Sequence, residues 1–130
     1  MSNVATVSEH QVDVAALKRR ACAQIDELAE LLIQVSHDIH DHPELNYDEH
    51  YAHDRLCDEL DRAGLSPTRH AHGVQTAFRA EAGSAGAAVA ILLEYDALPE
   101  IGHACGHNII AAARLGAGLA LAPLAEEVGG

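Results

Sequence analysis

The sequence has few aromatic residues and few basic ones. Aromatic residues make up 3% of the 130 residues and tryptophan is absent, so alanine, leucine and valine must supply most of the packing in a core. The 8 lysines and arginines are outnumbered by 20 aspartates and glutamates, which leaves a formal net charge of −12. This charge argues against nucleic acid and against an anionic membrane surface as partners, because both are themselves negative.

Cysteines and long apolar runs are also scarce. The three cysteines, Cys22, Cys57 and Cys105, are odd in number and irregularly spaced, which argues against a disulfide framework. No apolar run approaches the roughly 18 residues that a membrane-spanning helix needs. The first residues, M-S-N-V-A-T-V-S-E-H, lack the basic start and the apolar centre of a signal peptide. Together these features predict a cytoplasmic protein.

The chain does contain enough apolar material for one domain with a core, since apolar residues make up 48% of it. Residues 1–12 are predicted to be a flexible tail. From Asp13 onwards apolar residues recur at three- and four-residue steps, which predicts a long amphipathic helix. This helix should end before Pro43, because the residue before a proline is disfavoured in the helical conformation.

Two further helices are predicted. One follows a turn in which Asn46 or Asp48 is the candidate N-cap, and it runs to about Ala63. Gly64 is well placed to adopt the left-handed conformation that commonly follows a helix. The other is an alanine-rich stretch that covers roughly residues 108–121.

Two stretches predict strands. Residues 74–80 alternate loosely between apolar and polar side chains, which is typical of a strand exposed on one face. Residues 87–94 contain the uninterrupted apolar run Val89 to Leu93, which is typical of a strand buried on both faces. The two strands could pair as a hairpin. The fold class is therefore predicted as α/β, with three helices and about two strands, and a buried strand with so few neighbours suggests part of a larger fold.

A polar cluster lies between the apolar strand and the last helix, where ligand-binding groups collect in open α/β sheets. Its histidines and cysteine, His103, Cys105 and His107, are spaced two apart on a turn that contains glycines. Thiolate and imidazole together suit zinc and other late divalent ions. Asp96 could orient a ligand histidine or could simply accept backbone hydrogen bonds in a turn, and Glu94 could do either.

Spacing alone leaves other interpretations of this cluster open. Cys105 could be a buried free cysteine flanked by surface histidines. Cys105 and His107 could also form a nucleophilic pair, for which Asp96 would be the orienting carboxylate.

Two ordered motifs resemble those of a known family. The run L-L-E-Y-D-A-L-P-E-I-G-H-A-C-G-H-N, at 92–108, resembles a signature of D-A-L-P followed shortly by H-A-C-G-H-[DN]. The run I-H-D-H-P-E-L-N-Y-D-E, at 39–49, resembles the pattern L-H-x-x-P-E-L-x-x-x-E. Both belong to the zinc-dependent amidohydrolases of the aminoacylase and carboxypeptidase superfamily, metallopeptidase family twenty. The resemblance is greatest to the branch of auxin-conjugate hydrolases, aminobenzoyl-glutamate hydrolases and related dipeptidases.

The resemblance implies roles for three residues. Cys105 and His107 match metal ligands of the family, and Cys105 matches a ligand able to bridge two metals. Asp96 matches the acidic residue that supports a metal-binding side chain, whereas His103 belongs to the motif without being a ligand. The implied cofactor is a divalent metal, with zinc expected first and manganese or cobalt tolerated. Asn108 stands where many relatives have aspartate, and this change removes no ligand.

The resemblance also implies a fold and a reaction. Residues 13–130 are expected to be the N-terminal part of a mixed-sheet, aminopeptidase-like zinc-peptidase domain, without the dimerisation domain. The parent family hydrolyses an amide bond in N-acyl amino acids or dipeptides, so the expected partner is a small-molecule substrate.

The family's general base and remaining ligands have no counterpart in these 130 residues. Glu126 and Glu127 are interpreted as a solvated helix end. The chain alone is therefore expected to be inactive. The alternative is a non-catalytic metal-binding or subunit-pairing module, and both a homo-oligomer and pairing with a full-length homologue remain open.

Overall fold

The computed structural model describes residues 12–129 of the chain. Their regular elements, in chain order, are α1 (Val14–Asp41), α2 (His50–Arg62), β1 (Thr68–Arg69), β2 (Phe78–Arg79) and α3 (His107–Leu121). Three helices and one small antiparallel sheet agree with the predicted α/β content at the coarse level. The flexible tail predicted for residues 1–12 lies outside the described residues, apart from Val12.

The first helix begins and ends where the sequence predicts. Asp13 is its N-cap, and one carboxylate oxygen of Asp13 accepts a hydrogen bond from the backbone N–H of Ala16 at 3.0 Å. The helix ends at Asp41, two residues before Pro43. Both limits of α1 therefore follow from local chemistry.

The core lies where α1 packs against α3, with α2 closing one side. Gly116 of α3 permits a close approach, since a Cβ at this position would lie 2.6 Å from Leu32 Cδ1 of α1 and 3.3 Å from Ile25 Cδ1. The buried apolar residues of the core are Val35, Ile39, Ala52, Leu56, Leu60, Ala111, Ala112, Leu115 and Leu119. Small and aliphatic side chains thus do the packing, as the scarcity of aromatic residues predicts.

The second helix is capped by a residue of the upstream motif instead of by the predicted cap residues. The carboxylate of Glu44 accepts hydrogen bonds from the backbone N–H groups of Tyr51, at 2.8 Å, and Ala52, at 3.0 Å. The predicted N-cap at Asn46 or Asp48 is wrong, because the loop folds back and places Glu44 over the helix end. A carboxylate there also complements the positive end of the helix dipole. At the other end Gly64 has φ +78°, as predicted.

The strand predicted at residues 87–94 is absent from the described structure, and this expectation was wrong. No β-partner lies beside this stretch in residues 12–129, and Val89 is 88% exposed. Ile91, Leu93 and Tyr95 are half-buried, whereas Leu92 and Glu94 between them are exposed. The stretch therefore keeps the alternation of a strand, but it covers the core with one face instead of being buried on both.

The small sheet also differs from the predicted hairpin. The strand expected at 74–80 is reduced to Phe78–Arg79, and it pairs antiparallel with Thr68–Arg69 instead of with residues 87–94. A 3-10 turn at Ala71–Gly73 reverses the chain between the two strands, and the N–H of Ala71 donates to the carbonyl of Ala77 at 3.0 Å. This reversal places Thr68–Arg69 beside β2, so β2 pairs with the segment before it instead of with residues 87–94.

The end of the described chain is helical and polar. Short 3-10 turns at Ala122–Leu124 and Glu126–Val128 follow α3. Glu126 and Glu127 are exposed, in agreement with a solvated helix end, and Glu127 forms an ion pair with Arg20 of α1 at 2.6 Å. Within residues 12–129, none of the helices is both long enough and apolar enough to cross a membrane.

Candidate metal centre

The polar cluster occupies the loop between the apolar stretch and α3, and the upstream motif holds this loop in place. The backbone N–H of Ala97 donates to the carbonyl of Glu44 at 2.7 Å, and Leu45 and Ala97 form a parallel β-bridge. Leu98 and Gly102 exchange two backbone hydrogen bonds, of 2.9 and 3.1 Å. The two motifs recognised in the sequence are thus joined through their backbones in the structure.

The structure brings Asp96 and His107 together. Oδ1 of Asp96 lies 2.8 Å from Nδ1 of His107, and both side chains are partly buried, at 30% and 23% exposure. A carboxylate at Nδ1 holds the imidazole proton on that nitrogen and leaves the lone pair of Nε2 free. The histidine is therefore oriented as a ligand histidine would need to be.

Glu94 approaches the other nitrogen of the same ring. Its Oε2 lies 3.7 Å from Nε2 of His107, and its side chain is 58% exposed. Glu94 and Asp96 are two residues apart, and their carboxylates face the two nitrogens of one imidazole. The ring of His107 thus lies between two acidic side chains.

Cys105 is exposed on the same loop, two residues before His107. Gly106, which follows it, has φ +76° and is the N-cap residue of α3. The backbone N–H of Gly106 donates to the carbonyl of His103 at 2.9 Å, which closes a tight turn around Cys105. Gly106 therefore turns the chain sharply between the thiol and the first residue of α3.

His103 is directed inward. It is 9% exposed, and neither of its ring nitrogens has a hydrogen-bond partner among the described residues. The ring of His40 lies beside it, with the two ring centroids 6.3 Å apart. Burial lowers the pKa of His103, and the Coulombic interaction with the His40 ring lowers it further. His103 is therefore favoured in the neutral form.

Asn108 joins α3 to α1 behind the site. Its amide nitrogen donates to the carbonyl oxygen of Ser36 at 3.2 Å and contacts the hydroxyl oxygen of Ser36 at 3.0 Å. An aspartate could not donate a hydrogen bond to that carbonyl. The amide therefore has a structural role of its own at this position.

Comparison with known proteins decides the family. No family model matches the chain. The Xaa-Arg dipeptidase of Mus musculus is 44% identical over 126 residues, which cover 89% of this chain and 29% of the relative. The Xaa-Arg dipeptidase of Homo sapiens is 43% identical over 122 residues, covering 84% of this chain and 28% of the relative. One subunit of the p-aminobenzoyl-glutamate hydrolase of Escherichia coli (strain K12) is 31% identical over 112 residues, covering 73% of this chain and 23% of the relative.

Over this matched segment, the chain belongs to the amidohydrolase and peptidase family twenty. These relatives are named as hydrolases, so the chain is an enzyme segment by resemblance. It spans less than a third of the length of the curated relatives it matches. The expectation from the two motifs, that the chain represents part of a family hydrolase, is therefore confirmed.

The side chains of the cluster fit a metal as an incomplete set of ligands. An exposed thiol and an imidazole with a free Nε2 are donors that zinc accepts. Over the part of the chain that the structure describes, no group of three histidine, cysteine or acidic side chains could hold a metal ion. The roles of Asp96, Cys105 and His107 therefore remain predictions.

The sequence did not reveal the contacts that support the cluster. Neither the capping by Glu44 nor the contact between Ser36 and Asn108 follows a local spacing rule, since each joins separate parts of the chain. The burial of His103 was equally hidden. The regular spacing of His103, Cys105 and His107 does not distinguish the inward side chain from the exposed one.

Proposed function

We propose that the complete protein hydrolyses the amide bond of N-acyl amino acids or dipeptides with a divalent metal, zinc before manganese or cobalt. In this proposal Cys105 and His107 bind the metal and Asp96 orients His107. The contact of 2.8 Å between Asp96 and Nδ1 of His107 is the observation that supports it most directly. Similarity to two dipeptidases and an aminobenzoyl-glutamate hydrolase supports the substrate class.

The proposed roles follow from ordinary chemistry. A divalent metal held by Cys105 and His107 would polarise a carbonyl group and would supply a nucleophilic water near neutral pH. Asp96 accepts the hydrogen bond from Nδ1 and thereby holds Nε2 ready as a donor. Cys105 would bind the metal as a thiolate, because a cysteine binds metals in that form. Its exposure allows a metal to reach the sulfur without rearrangement of the core.

The chain alone is expected to be inactive in this proposal. A hydrolytic metal site needs about three protein ligands and a general base. The described residues gather no such set of three, so the rest of the site must come from elsewhere in the complete enzyme. The same proposal places the enzyme in the cytoplasm, where free thiols such as Cys22, Cys57 and Cys105 stay reduced.

The test is the zinc affinity of the purified chain, measured by calorimetry against a competing chelator. Cys105→Ala and His107→Ala should each weaken binding by about tenfold or more, because each removes one ligand. Cys22→Ala is the matched control, since Cys22 is also an exposed free cysteine but lies on α1. Equal losses in all three variants, or no loss in the first two, would refute the proposed ligands.

A second candidate function is a non-catalytic module that pairs with a full-length homologue. Two observations favour it: the lack of a three-ligand set in the described residues, and a relative that is itself named as a subunit. It predicts that the chain co-purifies in a fixed ratio with a larger homologue. A chain that remains monomeric in sedimentation experiments with that homologue would eliminate this candidate.

A further inference from the structure

We propose that Glu49 is a positioning residue of the candidate site, which acts on Asp96 through Thr76 and Tyr95. The proposal rests on the role that the proposed function gives to Asp96, and it adds a role for the last residue of the upstream motif. The observation that carries it is a buried series of hydrogen bonds. The hydroxyl of Thr76 donates to Oε2 of Glu49 at 2.7 Å, and the hydroxyl of Tyr95 donates to the carbonyl of Thr76.

The first argument concerns the burial of this carboxylate. Glu49 is 6% exposed and Thr76 is 4% exposed. Burying a charged group costs free energy, and an apolar side chain in its place often leaves a core at least as stable. What the carboxylate adds is a hydrogen bond of fixed direction. We therefore assign to Glu49 the role of holding Thr76 in one place.

The second argument concerns the two ends of the series. Glu49 directly precedes α2, and its carbonyl accepts a hydrogen bond from the first turn of that helix, which fixes its backbone. At the other end Tyr95 directly precedes Asp96, whose Oδ1 lies 2.8 Å from Nδ1 of His107. A displacement of Thr76 would therefore move Tyr95 and, with it, the carboxylate that contacts His107.

The third argument concerns the rigidity of the last residue in the series. The ring of Tyr95 stacks on the ring of Phe78, with the centroids 6.0 Å apart and the planes 13° apart. Burial raises the pKa of Tyr95, and the charge of Glu49 raises it further, so the hydroxyl stays protonated and able to donate. Packing thus holds the ring and Thr76 holds the hydroxyl, which leaves the backbone beside Asp96 little freedom.

The experiment compares Thr76→Val with Thr76→Ser and Thr68→Val in the purified chain. Valine is close to threonine in shape but lacks the hydroxyl, serine keeps the hydroxyl, and Thr68 is an exposed threonine on β1 that serves as the matched control. Nuclear magnetic resonance records the ring signals of His107 at one fixed pH, without added metal. We expect Thr76→Val to shift these signals, and Thr76→Ser and Thr68→Val to leave them in place.

Urea unfolding of the same variants separates positioning from stability alone. Loss of a buried hydrogen bond lowers the free energy of unfolding whichever role Glu49 has. It shifts the signals of His107 in the folded chain only if the series sets the place of Asp96. Tyr95→Phe is a second variant, which removes one hydroxyl and keeps the ring packing. A folded but less stable Thr76→Val or Tyr95→Phe with unchanged His107 signals would overturn the proposal.

Two variants of Glu49 test the carboxylate itself. The amide oxygen of Glu49→Gln can still accept a hydrogen bond from Thr76, whereas Glu49→Ala has no acceptor there. We expect Glu49→Ala to shift the His107 signals as Thr76→Val does, and Glu49→Gln to restore most of their original positions. Equal shifts in both variants would mean that the charge acts on His107 without the hydrogen bond, which also overturns the proposal.

The outcomes distinguish this proposal from the function on which it rests. If Cys105→Ala and His107→Ala leave zinc affinity unchanged while Thr76→Val shifts the His107 signals, the proposed ligands fall and the positioning of Asp96 stands. If both ligand variants lose affinity while Thr76→Val leaves the His107 signals in place, the proposed function stands and the role of Glu49 falls.

Discussion

The α1–α3 layer and the stretch at 87–94 are both apolar in sequence, yet the structure treats them in opposite ways. Leu115 in α3 is 2% exposed, whereas Leu92 in the stretch is 72% exposed. A helix satisfies its own backbone hydrogen bonds and can then bury a face against any apolar neighbour. A strand needs a partner for its backbone as well as its side chains. An amphipathic pattern therefore predicts a buried face for the helices, whereas the apolar run at 87–94 did not predict burial on both faces.

The largest expected effect comes from making the same substitution in both regions. Leu115→Ala should lower the free energy of unfolding by about 2–5 kcal/mol, because it leaves a cavity between α1 and α3. Leu92→Ala should change it by less than about 0.5 kcal/mol, because that side chain is already in water. The measurement is urea unfolding followed by circular dichroism. Similar losses in both variants would show that the stretch is buried after all.

An intermediate effect on the free energy of unfolding is expected at high pH, and it comes from the buried thiol of Cys57. Burial raises the pKa of the Cys57 thiol in α2 from 9.0 to about 11. The folded chain thus keeps this thiol protonated where the unfolded chain ionises it. The free energy of unfolding therefore keeps its full value below about pH 9. It falls by about 2 kcal/mol as the pH rises to about 11.

The measurement for Cys57 is the free energy of unfolding across that pH range. Cys57→Ala should flatten the decline, while Cys22→Ala, at an exposed thiol, should leave it unchanged. Burial also raises the pKa of Tyr95, so some decline should persist in Cys57→Ala. An identical decline in all three proteins would show that the thiol is accessible in the folded chain.

The smallest of these effects is expected at Glu44, which joins α2 to the loop that follows the apolar stretch. Its carboxylate caps α2 and its carbonyl accepts from Ala97, just after the apolar stretch. Glu44→Ala should cost about 1 kcal/mol and speed hydrogen exchange at the amides of Tyr51 and Ala52. Glu30→Ala, at an exposed site on α1, is the control. Unchanged exchange at both amides would contradict the capping.

Local patterns were sufficient to predict the helices. Apolar periodicity located α1, an alanine-rich stretch located α3, Pro43 indicated where α1 ends, and Gly64 indicated where α2 ends. The predicted cap of α2 was wrong because Glu44 reaches the helix from outside any local capping pattern. The predicted strand at 87–94 was wrong for a related reason, since a strand forms only where a second strand lies beside it.

The candidate site also combines features that local sequence predicts with features that only tertiary packing creates. The order and spacing of Asp96, Cys105 and His107 were evident from the residues alone, and so was the family resemblance. The contact between Asp96 and His107, the approach of Glu94 to Nε2, and the anchoring of Asn108 on Ser36 across 72 positions depend on how α1, α3 and the loop pack. Helical hydrogen bonds join residues four apart and are encoded locally, whereas these contacts join distant residues and exist only once the chain has folded.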